Sequence, residues 1–247
     1  MVLKNLIEKG VFDRHQVMVW EQMGLLANKS MLRGLWIYLR TAGWDYTTAQ
    51  IIKQLWFQLM RFLQQIFGRQ ESCFYPYYHN RLRRFSRETC PNLNGTVALR
   101  KLKKYKPELV ISIFSRDIIP PSIFSFPKLG TVNLHPALLP KYKGVSPVFW
   151  CLAKGEKKTG ITLHYVDRGI DTGKIITQKT IPIFKTDSEH TLYLRCAQTG
   201  VKLLIDWLRS NRKNKIGTKK VNILGSYFSL PTKQAVQKFR SRRKKFI

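Results

Sequence analysis

The chain has 247 residues, with 44 basic against 14 acidic side chains and a net charge of +30, a length that suits one substantial domain with a short appendage. The basic excess favours polyanionic partners: nucleic acid, phosphorylated small molecules or an anionic membrane surface. Cys73, Cys90, Cys151 and Cys196 show no Cys-x-x-Cys spacing and His15, His79, His135, His164 and His190 are scattered, which argues for reduced thiols and against a metal site; the start Met1-Val-Leu-Lys-Asn is no signal peptide and no stretch reaches the length of a membrane span, so the expected location is cytoplasmic.

In chain order, residues 2–10 read as a short helix stopped by Gly10, and Gln16–Trp20 as a compact buried strand. Residues 24–48 look less regular, with basic and aromatic side chains mixed. Thr48–Phe67 then reads as a helix in which Ile51, Ile52, Leu55, Trp56, Leu59, Met60, Leu63 and Phe67 form a wide apolar face, opposite Gln54, Gln58, Arg61 and Gln65. That face is expected to pack on the body or on a second subunit; an interfacial membrane helix is the alternative. Gly68–Asn94 reads as a loop whose aromatic run Phe74–Tyr78, beside Arg81, Arg83, Arg84 and Arg87, suits stacked bases and phosphates, and equally a solvated loop. Val97–Tyr105 is a basic helix ended before Pro107, and Glu108–Phe114 reads as a central strand of a parallel sheet. Ser115–Pro120 lies at its C-terminal end, where open α/β sheets bind ligands.

The next strand, Gly130–His135, carries the chemistry. Val132 and Leu134 alternate with Asn133 and His135, so the polar pair shares one face, and Pro136 ends the strand beside it. An Asn, a His and a nearby Asp suit a carbonyl under attack: the amide donates to the developing oxyanion, the imidazole moves or stabilises a proton, and the carboxylate sets the imidazole's charge. By itself, Asn-x-His at a strand end is also a capping device. Gly144 permits close approach of a ligand. Pro147–Lys154 reads as a helix, and Thr159–Tyr165 with Lys174–Ile183 as paired strands joined by the loop Asp167–Gly173, which returns Asp171 towards His135. His164 reads as structural. Asp187–Ser210 is a long helix capped by Asp187 or Ser188, and Asn211–Ile247 is polar and basic.

Three ordered blocks, Asn133-Leu-His135-Pro-Ala-Leu-Leu-Pro140-Lys-Tyr-Lys-Gly144, Gly155-Glu156 with Thr159-Gly160-Ile-Thr-Leu-His164, and Asp171-Thr-Gly173, closely resemble the folate-dependent formyltransferase family. That family includes methionyl-tRNA, glycinamide ribonucleotide and amino-sugar formyltransferases. The resemblance implies an α/β, Rossmann-like fold, a mostly parallel sheet flanked by helices. It implies transfer of a formyl group from 10-formyltetrahydrofolate, without a metal, to a primary amine that is small, phosphorylated or tRNA-linked. Asn133, His135 and Asp171 take the catalytic positions; Arg116, Ile118, Ile119, Leu139, Pro140, Asp167 and Gly169 are the implied folate contacts. The division implied is a catalytic domain over 1–210, with 24–94 an atypical helical and basic insertion, and a basic extension over 211–247 that packs on it. Tyr227–Thr232 and the helix to Phe239 resemble the tail that closes the catalytic domain. The family's opening strand and glycine loop are absent: either the chain starts late or this member has lost them. The competing reading is a non-catalytic relative that binds RNA or an anionic surface.

Overall fold

The computed structural model describes residues 18–21, 30–67, 86–89, 92–115, 117–210 and 224–247. Among them, β1 (Met18–Glu21) pairs in parallel with β2 (Ser86–Thr89). β1 overlaps the strand expected at Gln16–Trp20. β2 falls in the stretch read as loop, because Ser-Arg-Glu-Thr offers no apolar alternation to mark a strand. The helix expected at 2–10 and the aromatic run at 74–78 lie outside the described residues.

Between these strands runs α1 (Met31–Phe67), whose backbone breaks at Gly43, where φ is 84° and ψ −178°. Helix therefore begins well before Thr48. Mixed aromatic and basic residues hide the period, but Tyr38, Ala42 and Tyr46 enter the core and tertiary packing overrides weak local preference. Gly43 supplies the left-handed φ that lets the chain change direction and resume.

Then follow α2 (Thr96–Tyr105), β3 (Val110–Ile113), α3 (Pro121–Phe124), β4 (Thr131–His135), β5 (Lys143–Gly144), α4 (Pro147–Lys154), β6 (Lys158–Tyr165), β7 (Ile175–Pro182), α5 (Glu189–Ser210), β8 (Tyr227–Phe228) and α6 (Lys233–Ser241). The four-stranded sheet has the order β3-β4-β6-β7. β3 and β4 are parallel; β4–β6 and β6–β7 are antiparallel. Among the described residues β3 borders this sheet rather than lying inside it, and of its four residues only Ser112 is buried. Its apolar side chains owe their partial burial to the smaller cluster of Leu93, Ala98, Leu102 and Ile123, against which Val110 packs, and to the main core, against which Ile111 and Ile113 pack.

The main core lies on one face of the sheet. Val132, Leu134, Ile161 and Leu163 meet Leu192, Cys196, Val201 and Leu204 of α5 and Phe149 and Leu152 of α4. Ser188 caps α5, its Oγ accepting from Thr191 N–H at 3.0 Å. Asp187 instead accepts from Phe184 N–H at 2.7 Å and pairs with Arg195. Cys151 and Cys196 are buried free thiols, and burial pushes both up to about 12, so neither is a thiolate at neutral pH. Residues 224–247 lie against the same body. Phe239 stacks on Phe149 at 5.1 Å and on Phe246 at 4.7 Å, and Arg242 Nε donates to Ala153 O at 3.1 Å.

Candidate active site

The sheet's second face carries a polar grid. Asn133 lies in register between Ser112 on β3 and His164 on β6. Two residues along, His135 faces Thr162, which faces Gln178 on β7. Strand alternation places these six side chains on one face while Val132, Leu134, Ile161 and Leu163 fill the core. Polar groups at the carboxyl end of β4 therefore cost the core nothing.

The row at the strand end fastens the loop that follows Pro136. Thr162 Oγ1 donates to Ala137 O at 2.6 Å and accepts from Leu139 N–H at 3.2 Å. Gln178 Nε2 reaches both Leu139 O, at 2.8 Å, and Thr162 Oγ1, at 2.9 Å. Gly160 is required beneath this loop: a Cβ there would overlap the Leu138 side chain and Lys179 O. Farther along, Tyr142 O–H donates to Glu156 Oε1 at 2.6 Å and Tyr142 N–H to Ser226 Oγ at 2.9 Å. The separate sequence blocks thus meet as one built loop.

Asp171 is delivered by the β6–β7 loop, and Gly173 lets that loop close, since a Cβ at 173 would overlap Tyr165 O. Asp171 itself sits at φ 53°, a left-handed conformation uncommon for a residue with a side chain. Its Oδ2 accepts from Gly144 N–H at 2.8 Å and lies 3.4 Å from His135 Nδ1; its Oδ1 lies 3.5 Å from His164 Nε2. Gly144 was read as making room for a ligand. The close neighbour is the chain's own β8: a Cβ at 144 would overlap Phe228 O.

The two imidazoles are held in defined tautomers. His135 Nε2 lies 2.8 Å from Tyr142 O, and His164 Nδ1 lies 2.8 Å from Tyr165 O. Each nitrogen facing a carbonyl must carry the proton. The remaining nitrogens, His135 Nδ1 and His164 Nε2, then present lone pairs towards Asp171, and Asn133 Nδ2 donates to His164 Nε2 at 3.2 Å. Burial holds the His135 pKa below the ordinary imidazole value, against the opposing pull of Asp171 and the Tyr142 carbonyl. For Asp171, burial acts to raise the pKa, but the neighbouring His164 and His135 imidazoles and the Gly144 N–H together bring it down to about 2. His135 and Asp171 thus set an ionised carboxylate beside a buried imidazole whose charged form burial disfavours, a pair built to receive one proton.

Asn133, His135 and Asp171 are therefore brought together around one point. The residues expected at a cofactor are more dispersed. Ile118 is exposed, Ile119 packs towards the smaller apolar cluster, and Arg116 lies outside the described residues. Leu139 is buried and Pro140 half-buried in the fastened loop. Asp167 is exposed and organises its own turn, its Oδ1 accepting from Gly169 N–H at 3.1 Å and Thr172 Oγ1 at 2.6 Å. Sequence reasoning assigned His164 to structure, yet it touches both Asn133 and Asp171. Thr162 and Gln178 were overlooked as well. The available signal was the period of two in Thr162-Leu-His164, which puts both polar residues opposite the core.

Residues 89–208 match the family model described as formyl transferase. The family segment runs from the end of β2 into α5, so it holds the whole four-stranded sheet and all of Asn133, His135, His164 and Asp171; α1 and α6 lie outside it. Methionyl-tRNA formyltransferase of Thermodesulfovibrio yellowstonii is 41% identical over 121 residues, 49% of this chain and 39% of that enzyme. The bifunctional polymyxin resistance protein ArnA of Wigglesworthia glossinidia brevipalpis is 41% identical over 125 residues, 51% of this chain and 19% of that protein. The chain thus spans well under half the length of these relatives. A crystal structure of HypX from Aquifex aeolicus, in complex with tetrahydrofolic acid, shares the fold at TM-score 0.54, with 18% identity over 62% of this chain and 26% of that one.

Proposed function

We propose that the chain transfers a formyl group from 10-formyltetrahydrofolate to a primary amine. The observation that carries this reading is the convergence of Asn133, His135 and Asp171 at the end of β4, within the family segment. The donor fits the residues present: Asn133 Oδ1 and Ser112 Oγ, neighbours in one row, are buried polar atoms without a hydrogen-bond partner among the described residues, and a polar ligand would satisfy them. Leu139, Pro140, Ile118, Ile119, Arg116, Asp167 and Gly169 are the residues proposed to hold it.

When bound, 10-formyltetrahydrofolate supplies an activated formyl carbon whose oxygen gains negative charge as the amine attacks. Asn133 meets that charge with an amide N–H; one of its two N–H groups is engaged by His164, which fixes the amide plane, and the other is left for the oxygen. His135 takes the amine's proton at Nδ1 and would return it to the donor's departing nitrogen as that nitrogen's bond to the formyl carbon breaks, releasing tetrahydrofolate. Asp171 stabilises the imidazolium at once, because its carboxylate is already ionised and already placed. The amine itself is proposed only as a class: small and phosphorylated, or tRNA-linked, in keeping with the net charge of +30 and the named relatives.

Calorimetric titration with a non-reactive analogue of the folate donor tests the reading without a guess about the amine. Micromolar binding that weakens in the Asn133→Ala/His135→Ala double variant is expected. A folded chain that binds no analogue would overturn the proposal.

A further inference from the structure

The second half of α1 is mounted with its faces reversed. Trp44, Ile52, Leu55, Trp56, Leu59 and Phe62 recur at helical spacing on one side, and all are exposed, Trp44 by 73% and Leu55 by 59%. The opposite side, turned to the body, holds half-buried Gln50, Lys53 and Gln54 behind buried Tyr46. Gln50 hydrogen-bonds Glu189 at the start of α5, and Lys53 lies close enough to act on the same carboxyl. A polar anchor thus fixes the helix while its apolar side faces outwards, an arrangement that a lone soluble surface does not favour.

Charge selects the occupant. The helix from Trp44 to Phe67 contains one acidic residue, Asp45, against Lys53 and Arg61, with Lys53 turned towards Glu189, and the whole chain carries +30. Two copies joined through this face would bring like charges together, whereas an anionic lipid surface would gain from them. Basic groups also stand beside the helix: α6 packs on α1, with Lys233 against Gly43 and exposed Lys238 and Arg240 beyond it. No helix among the described residues is long and apolar enough to cross a membrane, so the contact is peripheral.

We propose that the outward face of α1 after Gly43 docks on an anionic lipid surface, laying Trp44, Ile52, Leu55, Trp56, Leu59 and Phe62 into the interfacial region. This assignment is independent of the formyl-transfer reading, since α1 lies outside the family segment.

Flotation of the full chain with phosphatidylcholine vesicles, with and without phosphatidylglycerol, tests it. Two variants accompany the wild type: Leu55→Gln/Leu59→Gln/Phe62→Gln and Trp44→Gln/Trp56→Gln. These side chains are exposed, so both variants should retain the wild-type thermal melt. Binding to the phosphatidylglycerol vesicles, reduced about tenfold or more in each variant, is expected. Three results would overturn it: no flotation with either vesicle; flotation unchanged in the variants, which would assign binding to basic segments alone; or a wild-type dimer in sedimentation that the variants dissolve, with no vesicle binding.

Discussion

Asp171 shows how one residue organises a site. Its left-handed backbone and the glycine at 173 aim the carboxylate between two imidazoles whose other nitrogens are committed to backbone carbonyls. On the proposed function, replacing Asn133 by Ala would remove the proposed donor to the formyl oxygen, and formyl transfer should fall about 100- to 1000-fold in a steady-state assay with the fold retained. His164 lies 3.2 Å from Asn133 Nδ2 and 3.5 Å from Asp171 Oδ1, and we propose that it positions both. His164→Ala should lower kcat by about 10–100-fold, with little change in the KM for the folate donor, and His164→Gln should recover part of the loss. An unchanged kcat in His164→Ala would return this residue to a packing role. Asn133 and His135 were legible because both sit in one short strand. His164 was not, because its role depends on pairing β6 with β4, a long-range contact that no local pattern encodes.

At the scale of elements, β6 does two jobs through its alternation. Ile161 and Leu163 belong to the core; Thr162 fastens the 137–139 loop and His164 steadies the site. Thr162→Val keeps the shape but leaves Leu139 N–H, Ala137 O and Gln178 without their shared partner. We expect a loss of about 1–3 kcal/mol in urea unfolding together with weaker binding of the folate analogue, and Thr162→Ser should restore most of both. The paired strands, α4 and α5 were placed correctly from pattern alone. The first turns of α1 and the strand β2 were missed. In both, tertiary contacts stabilise a conformation that the local sequence does not announce.

The whole molecule is held by a core shared between the sheet, α4, α5 and the C-terminal α6. Phe239 is fully buried and stacked against both Phe149 and Phe246, so Phe239→Ala should cost about 3–5 kcal/mol of stability and shift the denaturant midpoint accordingly. Acid should also loosen the fold. His135 and His190 are both lowered, chiefly by burial, His190 to about 4 with help from Lys53. The unfolded chain therefore takes up these protons first, and stability declines as pH falls below the ordinary histidine value of 6.5. Asp171 adds a further loss between its ordinary 3.8 and about 2. Thermal melts at pH 7 and pH 5 should show a smaller drop for His190→Gln than for the wild type; equal drops would remove His190 from this account.

The sequence by itself determined the α/β class and the alternation that sets Asn133 and His135 apart from the core, because these follow from local period. Only the tertiary structure decided that Asp171 bridges two histidines, that Gly144 admits β8, and that α1 turns its apolar side outwards. Each of those outcomes is a choice of neighbour, and a neighbour distant in the chain leaves no mark on the period of the residues that meet it.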